Sequence, residues 1–447
     1  MNQNLIKREQ WSSKLGFIFA AVGSAVGLGN LWGFAYRSSQ GGGAAFVLLY
    51  ILVVLVICLP VFVAEFSLGR NTATSAFLAP IKAAGQNWAP LGWLFLIAPL
   101  AIASYYSVIM GWTIDMFFHT LFNKLPENKE QADELFNLLS GGNRDMIGQI
   151  FSLFLGGLII SGGIKKGIEK INKICMPLLF FLLFALVIWA AFLNNALDGY
   201  YNFILNFDLS QLFDPDNIKN AFSQAFFSLS LGIGIMVTYS SYLNKEADLP
   251  KQSFQIASLD TLVGLMAGLI TFPIMFTFGF GSSFDGDSIG ALFKYIPTGL
   301  GDYGFAGRLV AILFFGLIYI AAITSLISLL EIPVSTLMDK FNFNRKKATF
   351  FTVIFTFFIG VPSAINAGFI GKIDDLANIL LILGGFLVSF LLAWVVPKIL
   401  DTELINSGTS LITRNYLKFM LKYITPILIS AGLLVTIKQT LIKWIGN

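Results

Sequence analysis

Four oxygen-bearing side chains lie inside otherwise apolar stretches of this sequence. They are Asn30, Asp260 and the adjacent pair Thr324 and Ser325. Carboxylate, amide, hydroxyl and main-chain carbonyl oxygens are the ligands that hard cations prefer. A singly charged ion surrounded by several such oxygens does not need a second carboxylate. The side chains therefore predict the binding of a small cation.

Each of these side chains has a plainer interpretation as well. Asp260 lies well inside the apolar stretch QIASLDTLVGLMAGL with no basic neighbour, so either a bound cation or a proton must neutralise it. We favour the cation, and a buried protonated acid is the alternative. Thr324 and Ser325 would otherwise bond to carbonyls of their own helix, as hydroxyls in membrane helices usually do.

The elements that position these residues are membrane spans. The 447-residue chain is 56% hydrophobic and only 12% charged, whereas soluble domains carry about 25% charged residues. Eleven apolar segments are long enough to cross a bilayer. They lie near 15–36, 43–69, 88–120, 147–163, 172–193, 220–243, 253–281, 307–338, 348–365, 375–397 and 420–443.

Charge sets the predicted orientation. Most lysines and arginines fall in the loops that share a face with the N-terminus, such as GIKKGIEKINK. The positive-inside rule then predicts a multi-pass protein of the cell (inner) membrane, with a cytoplasmic N-terminus and an external C-terminus. The net charge of +4 is no sign of nucleic-acid binding, because the basic residues lie in loops.

Two of the spans carry breaks. Gly23, Gly27 and Gly29 interrupt the first, and the serines and glycines of FSLSLGIG interrupt the sixth. Close helix packing also uses small residues, but paired interrupted segments in two halves of a chain are typical of a transporter's substrate site. We predict one domain over 1–447, with inverted repeats at 15–193 and 220–397 and an eleventh span at 420–443.

Two further buried acids are predicted to have structural roles. Glu65, at the end of the second span, is expected to form an ion pair or a hydrogen-bond hub. Glu331, toward the end of the eighth, is expected to face water as a packing partner.

The ordered motifs resemble a known family. GSAVGLGNLWGF, GGGAAF, AEFSLGR, FFSLSLGIG and AAITSLISLLEIP are similar to the first, second, sixth and eighth spans of neurotransmitter:sodium symporters, in particular the bacterial LeuT-type amino-acid transporters. The resemblance covers about residues 8–400. It implies an all-α integral membrane protein with the LeuT-type fold, in which the first and sixth spans of a 5+5 inverted repeat are broken.

The resemblance also implies two sodium sites. One, here called Na2, would consist of the carbonyls of Gly23, Val26 and Ala321 and the hydroxyls of Thr324 and Ser325. The other, Na1, would consist of the Ala25 carbonyl and the side chains of Asn30, Ser228 and Asp260. Family members commonly have asparagine where Asp260 stands, and then need chloride or a carboxylate one turn further on, where this chain has Gly264. Asp260 would supply that charge, so no chloride requirement is expected.

The implied substrate is a small-molecule amino acid. Its carboxylate would contact the amides of Leu28 and Gly29 and the Tyr106 hydroxyl, and Gly27 would leave room for it. Its amino group would meet carbonyls around Ala25, Phe227 and Ser230, and Ser228 is assigned to the same site. The side-chain pocket would consist of Ile102, Phe227, Ile233, Ser325, Leu326 and Leu329. This apolar lining favours an apolar or aromatic amino acid.

The gates match the family less evenly. Arg8 and Asp339 fit its cytoplasmic ion pair, with Tyr242 nearby. Outside, Gly33 stands where the family usually has arginine, so Arg37 is a possible substitute, with Asp374 or Asp375 as its acid. The outer lid would then consist mainly of Tyr106 and Phe227.

The predicted function is therefore sodium-coupled import of an amino acid by alternating access, in a lipid bilayer and with a monomer sufficient for transport. A proton-coupled amino-acid carrier that uses Asp260 is the alternative. An enzyme is not predicted, because the sequence has a single histidine and no HExxH motif.

Overall fold

The computed structural model describes residues 9–122, 125–140, 143–279, 288–301 and 303–446. Within these ranges, nine helices are long and apolar enough to cross a membrane. They are Ala44–Thr72, Gln86–Phe122, Asn143–Ser161, Ile164–Ala191, Leu249–Thr277, Gly304–Phe341, Arg345–Ile365, Gly368–Val395 and Leu411–Ile445.

The first and the sixth of the spans predicted from the sequence are interrupted. The first consists of Lys14–Ala25 and Gly29–Gln40, with a bend of 62° between them. The sixth consists of Pro215–Ser228 and Ile235–Ser240, joined by the non-helical residues 229–234. The predicted all-α membrane bundle with broken first and sixth spans is confirmed. The boundaries of the two repeats stay a prediction.

Local sequence fixes where several spans begin. Asp214, Asp248 and Asn344 each cap a helix by accepting a hydrogen bond from the main-chain N–H three residues on, at 2.9–3.0 Å. A proline follows in the first turn of the helices capped by Asp214 and Asp248, where its missing N–H costs nothing. Such caps stabilise a helix start by about 1 kcal/mol.

The break in the sixth span depends on a glycine. Gly232 has a φ of +79°, and a Cβ there would lie 1.8 Å from the Leu381 carbonyl oxygen. Its N–H donates to Glu65 Oε1 at 2.6 Å, and the Glu65 side chain is fully buried. Glu65 is therefore the hydrogen-bond hub that the sequence predicted, and it holds the opened main chain in place.

Contacts between loops define one face of the bundle. Arg70 bonds Glu403 and the Ala247 carbonyl, each at 2.5 Å, and Asp339 accepts from the Ser75 N–H at 2.6 Å. These contacts bring residues 70–84, 240–251, 339–347 and 396–418 to the same side. We call it the basic face. The positive-inside rule predicts that this face is cytoplasmic.

Candidate ion and substrate site

The two breaks meet in the middle of the bundle. The Ser230 hydroxyl donates to the Ser24 carbonyl at 2.9 Å, and Asn30 Nδ2 donates to Ser228 Oγ at 3.0 Å. Each contact joins the first span to the sixth. Main-chain groups released from helical hydrogen bonding therefore lie side by side in the interior, where an opened backbone is tolerated only if it lines a cavity or is buried in protein.

The Na1 residues gather around Asp260, which is fully buried. Asn30 Nδ2 donates to Asp260 Oδ1 at 2.6 Å, and the Ser228 hydroxyl donates to Asp260 Oδ2. Three of the four predicted Na1 residues are thus brought into contact. The fourth, Ala25, lines the adjoining cavity.

Tyr50 is a member of this cluster that the sequence interpretation missed. Its hydroxyl donates to Asp260 Oδ2 at 3.2 Å from the second span, and its ring packs edge-on against Phe34 at 5.0 Å. A fully buried tyrosine hydroxyl usually has a hydrogen-bond partner. Tyr50 interrupts the apolar run AAFVLLYILVV, and that polar group was the available signal.

All five predicted Na2 residues lie in a second oxygen cluster. The Ser325 hydroxyl is 3.3, 3.1 and 3.3 Å from the carbonyl oxygens of Gly23, Val26 and Ala321. The Thr324 hydroxyl lies 2.9 Å from the Ala321 carbonyl oxygen. These contacts join the broken first span to the eighth.

Two further oxygens border the Na2 cluster and were not predicted. The Ser24 carbonyl lies 3.3 Å from Ser325 Oγ. Asn172, fully buried in the fifth span, directs Oδ1 at Gly23, where it would meet an added Cβ at 1.9 Å. That oxygen accepts no hydrogen bond from any described residue. The fifth span therefore presents a free acceptor beside the cluster.

A cavity lies between the two breaks and touches most of the predicted substrate residues. Those that line it are Ala25, Gly29, Ile102, Tyr106, Phe227, Ser230, Ile233, Ser325 and Leu329. The lining also includes Ser24, Gly27, Ile235 and Leu381, of which only Gly27 was discussed from the sequence.

Three predicted substrate residues do not line this cavity. Leu326 packs toward Gly156 of the fourth span, and Ser228 bonds Asp260 instead. Leu28 contributes through its main chain, since its N–H donates to the Tyr106 hydroxyl at 3.2 Å. That amide and that hydroxyl are the pair expected at the substrate carboxylate.

The cavity is small. Its volume of about 30 Å³ suits a water molecule, whereas pockets for small organic ligands span about 300–1,000 Å³. The Phe227 ring closes it against Gly29, where an added Cβ would lie 2.8 Å from Phe227 Cδ1. An amino acid can enter only if side chains such as Phe227 move, so the structure represents a contracted conformation.

On the face opposite the basic face, a polar link lies above the cavity. Arg37 Nη1 donates to Gln224 Oε1, and Gln224 Nε2 donates to the Gly29 carbonyl, both at 2.9 Å. The Arg37 charge also interacts with Asp374, which accepts a hydrogen bond from Tyr105 at 2.8 Å. Gln224 was not predicted, yet it joins the arginine to the broken helix.

Arg8 lies outside the described residues, so its predicted pair with Asp339 stays a prediction. At the basic face the described residues form a network that was not predicted, in which Tyr242 donates to Glu331 at 2.8 Å. Arg345 pairs with Glu331 at 2.8 Å and with Glu9 at 3.0 Å. Glu331 is fully buried, so the prediction that it faces water was wrong. A buried carboxylate needs such a partner because its isolated charge is costly.

A membrane bundle in which two broken spans meet at buried oxygen clusters is the architecture of a secondary transporter. The Sodium:neurotransmitter symporter family matches residues 8–137 and 142–444. The chain belongs to this family, and it is therefore a transporter and not an enzyme.

Known relatives extend over nearly the whole chain. A sodium-dependent transporter of Bacillus subtilis is 34% identical, over 95% of this chain and 96% of its own length. Another, from Methanocaldococcus jannaschii, is also 34% identical, over 99% of this chain and 93% of its own length. The crystal structure of MhsT in complex with L-phenylalanine superimposes with a TM-score of 0.87 at 35% identity, covering 96% of this chain and all of that chain. This likeness confirms the predicted LeuT-type fold.

Proposed function

We propose that this protein is a sodium-coupled symporter that imports an apolar or aromatic amino acid by alternating access and requires no chloride. The observation that carries the proposal is the position of the cavity between two oxygen clusters, one around Asp260 and one around Ser325. Family membership supports sodium coupling. The phenylalanine bound in MhsT and the apolar lining of the cavity support the substrate class.

Sodium at Na2 would act on the contact between the first and eighth spans. The Ser325 hydroxyl already lies within 3.3 Å of three carbonyls of the first span. An ion among these oxygens favours the conformation that keeps them together. A ligand shifts a conformational equilibrium only by binding one state better than another, and we propose that sodium binds best where these oxygens are together.

Chloride independence is supported by the hydrogen bonds of Asp260. The hydroxyls of Ser228 and Tyr50 and the amide of Asn30 all donate to its carboxylate. The same three donors could hold a chloride ion in a protein that lacked this carboxylate. Since the chain supplies the negative charge itself, Na1 needs no anion from solution.

Orientation and driving force follow from charge. With the basic face cytoplasmic, inward movement of sodium gains about 2.3 kcal/mol per charge for each 100 mV of inside-negative potential. The oxygen clusters and the cavity belong to one chain, so a monomer should be sufficient for transport.

Uptake of radiolabelled phenylalanine into proteoliposomes tests the proposal. Sodium and pH gradients are imposed separately, with chloride replaced by gluconate. We expect accumulation with the sodium gradient alone and no loss in gluconate. The proton-coupled alternative is favoured by one observation, the full burial of Asp260. Equal uptake driven by a pH gradient without sodium would establish that alternative and reject ours.

A thermal-shift screen of the twenty amino acids, with and without sodium, would identify the substrate. We expect stabilisation by apolar or aromatic amino acids, and only when sodium is present. Stabilisation by acidic or basic amino acids alone would contradict the proposed substrate class.

A further inference from the structure

A second cavity, distant from the ion clusters, opens on the side of the bundle near the basic face. Its volume is about 440 Å³. It lies between the start of the third span, the end of the eighth and the start of the ninth. Among its lining residues are Phe77, Trp93, Leu100, Lys340, Phe351 and Phe355.

The outer part of this cavity faces the bilayer. Trp93, Phe351 and Phe355 are 48%, 46% and 56% exposed, although they belong to membrane spans. Leu100, by contrast, is buried against the protein. The cavity is thus a recess with a protein floor and an aromatic rim, in the leaflet next to the basic face, where it can admit an apolar chain from the surrounding lipid.

Lys340 is the charged residue among those that line the recess. Lys340 Nζ lies 4.4 Å from the centre of the Phe77 ring and 5.4 Å from that of Trp93. Among the described residues no carboxylate pairs with it. Lysines near helix ends extend toward the headgroup region, and basic pockets between spans on the cytoplasmic side bind anionic headgroups.

A polar group also lines the recess. Thr352 is 2% exposed, and its hydroxyl makes no hydrogen bond with any described residue. A buried hydroxyl without a partner is costly.

We propose that this recess binds one anionic phospholipid, with an acyl chain among the aromatic side chains and the phosphate at Lys340. A second lipid-facing cavity of the same molecule lacks such a charge. A lipid-facing cavity of about 300 Å³ between the second and seventh spans has an apolar lining with Ser258 and Thr261 but no charged residue. The residues that line this second cavity include no cation that would favour an anionic headgroup over a neutral one.

The test uses the full-length protein in nanodiscs of equal parts phosphatidylglycerol and phosphatidylcholine, followed by release and native mass spectrometry. Lys340→Gln removes the rim charge, Leu96→Trp fills the recess, and Lys346→Gln removes a neighbouring exposed charge that does not line it. Thermal melting verifies that each variant is folded.

We expect one phosphatidylglycerol to be retained by the wild type and by Lys346→Gln. Retention should fall by about 5-fold in Lys340→Gln, since one lysine contributes about that factor to anionic-lipid binding, and it should also fall in Leu96→Trp. Equal retention by Lys340→Gln and the wild type would overturn the headgroup assignment. Full retention by Leu96→Trp would overturn the acyl-chain assignment, and retention of phosphatidylcholine or free fatty acid at the same level would overturn the proposed ligand.

Discussion

Asn30 and Asp260, 230 positions apart in the sequence, are joined by a 2.6 Å hydrogen bond from Nδ2 to Oδ1. The bond connects the opened first span to the middle of the unbroken seventh span, Leu249–Thr277. Ser228 of the sixth span bonds both residues, and Tyr50 of the second span bonds Asp260, so four spans meet at a single carboxylate. A change at Asp260 should therefore affect ion binding and the packing of both broken helices.

Asp260→Asn should reduce sodium-driven uptake in chloride-free buffer by about 10- to 100-fold, because it removes the negative charge and replaces one of the two acceptor oxygens by an NH2 group, and leaving buried donors without an acceptor costs about 1–3 kcal/mol. Added chloride should restore part of the uptake, because the Ser228 and Tyr50 hydroxyls would then be free to hold an anion. The measurement is initial uptake against chloride concentration.

Asp248→Asn is the matched control for this variant. Asp248 caps the same helix from outside the membrane, and asparagine caps equally well, so uptake should not change. Wild-type activity of Asp260→Asn without chloride would refute the role of the carboxylate.

Ser325→Ala should raise the sodium concentration for half-maximal uptake by about 5- to 10-fold, because it removes one hydroxyl from the Na2 cluster. The order of preference among amino acids should change less. Ser335→Ala is the control, since the Ser335 hydroxyl bonds the Ile332 carbonyl of its own helix. An equal shift of the sodium dependence in both variants would show that the Ser325 hydroxyl is not a ligand of the sodium ion at Na2.

Gly29→Ala should lower the melting temperature of the protein in the absence of an amino acid. The added methyl would lie 2.8 Å from Phe227 Cδ1 in the contracted conformation, and overpacking of this kind costs about 1–3 kcal/mol. At Gly33, in the same segment Gly29–Gly33, the nearest atom to an added Cβ is 3.4 Å away. Gly33→Ala should therefore melt at the wild-type temperature in the same detergent. Equal melting temperatures for the two variants would contradict the described position of Phe227.

Glu403→Ala should lower the thermal stability strongly. Glu403 forms a buried ion pair with Arg70 at 2.5 Å, and removing one partner of such a pair costs about 3–5 kcal/mol. Asp401 and Lys418 form a pair at 2.7 Å with both side chains at least 40% exposed, so Asp401→Ala should cost at most about 1 kcal/mol. Melting curves in the same detergent compare the two. Similar melting temperatures would show that the buried pair does not anchor the basic face.

The breaks in the first and sixth spans could be predicted because their signal is local. Glycines and serines interrupt an apolar run at the place where the helix opens, around Val26–Leu28 and Ser230–Gly234. The ion-site residues followed from the resemblance to the family, since the motifs place them in order along the chain.

Contacts between distant spans are not encoded locally. Tyr50 is marked only as a polar group within an apolar run, and Gln224 looks like an ordinary side chain in its segment. Their roles depend on Asp260 and Arg37 elsewhere in the chain. The tenth span was predicted to begin at 375, yet its helix begins at Gly368. The first turns of this helix are polar, because they contain Lys372, Asp374 and Asp375, and the apolar pattern therefore starts later than the helix. The two acids have partners on other spans, Tyr105 for Asp374 and Lys443 for Asp375.

The contraction of the central cavity to about 30 Å³ has a consequence for the energetics of the membrane. Among the described residues, Phe227 rests on Gly29 and Arg345 bridges Glu9 and Glu331 at the basic face, and both contacts narrow the route between the two aqueous compartments. A carrier that resets through such a conformation would pass no uncoupled ion current. The sodium gradient would then be consumed only in transport cycles that also carry an amino acid across the membrane.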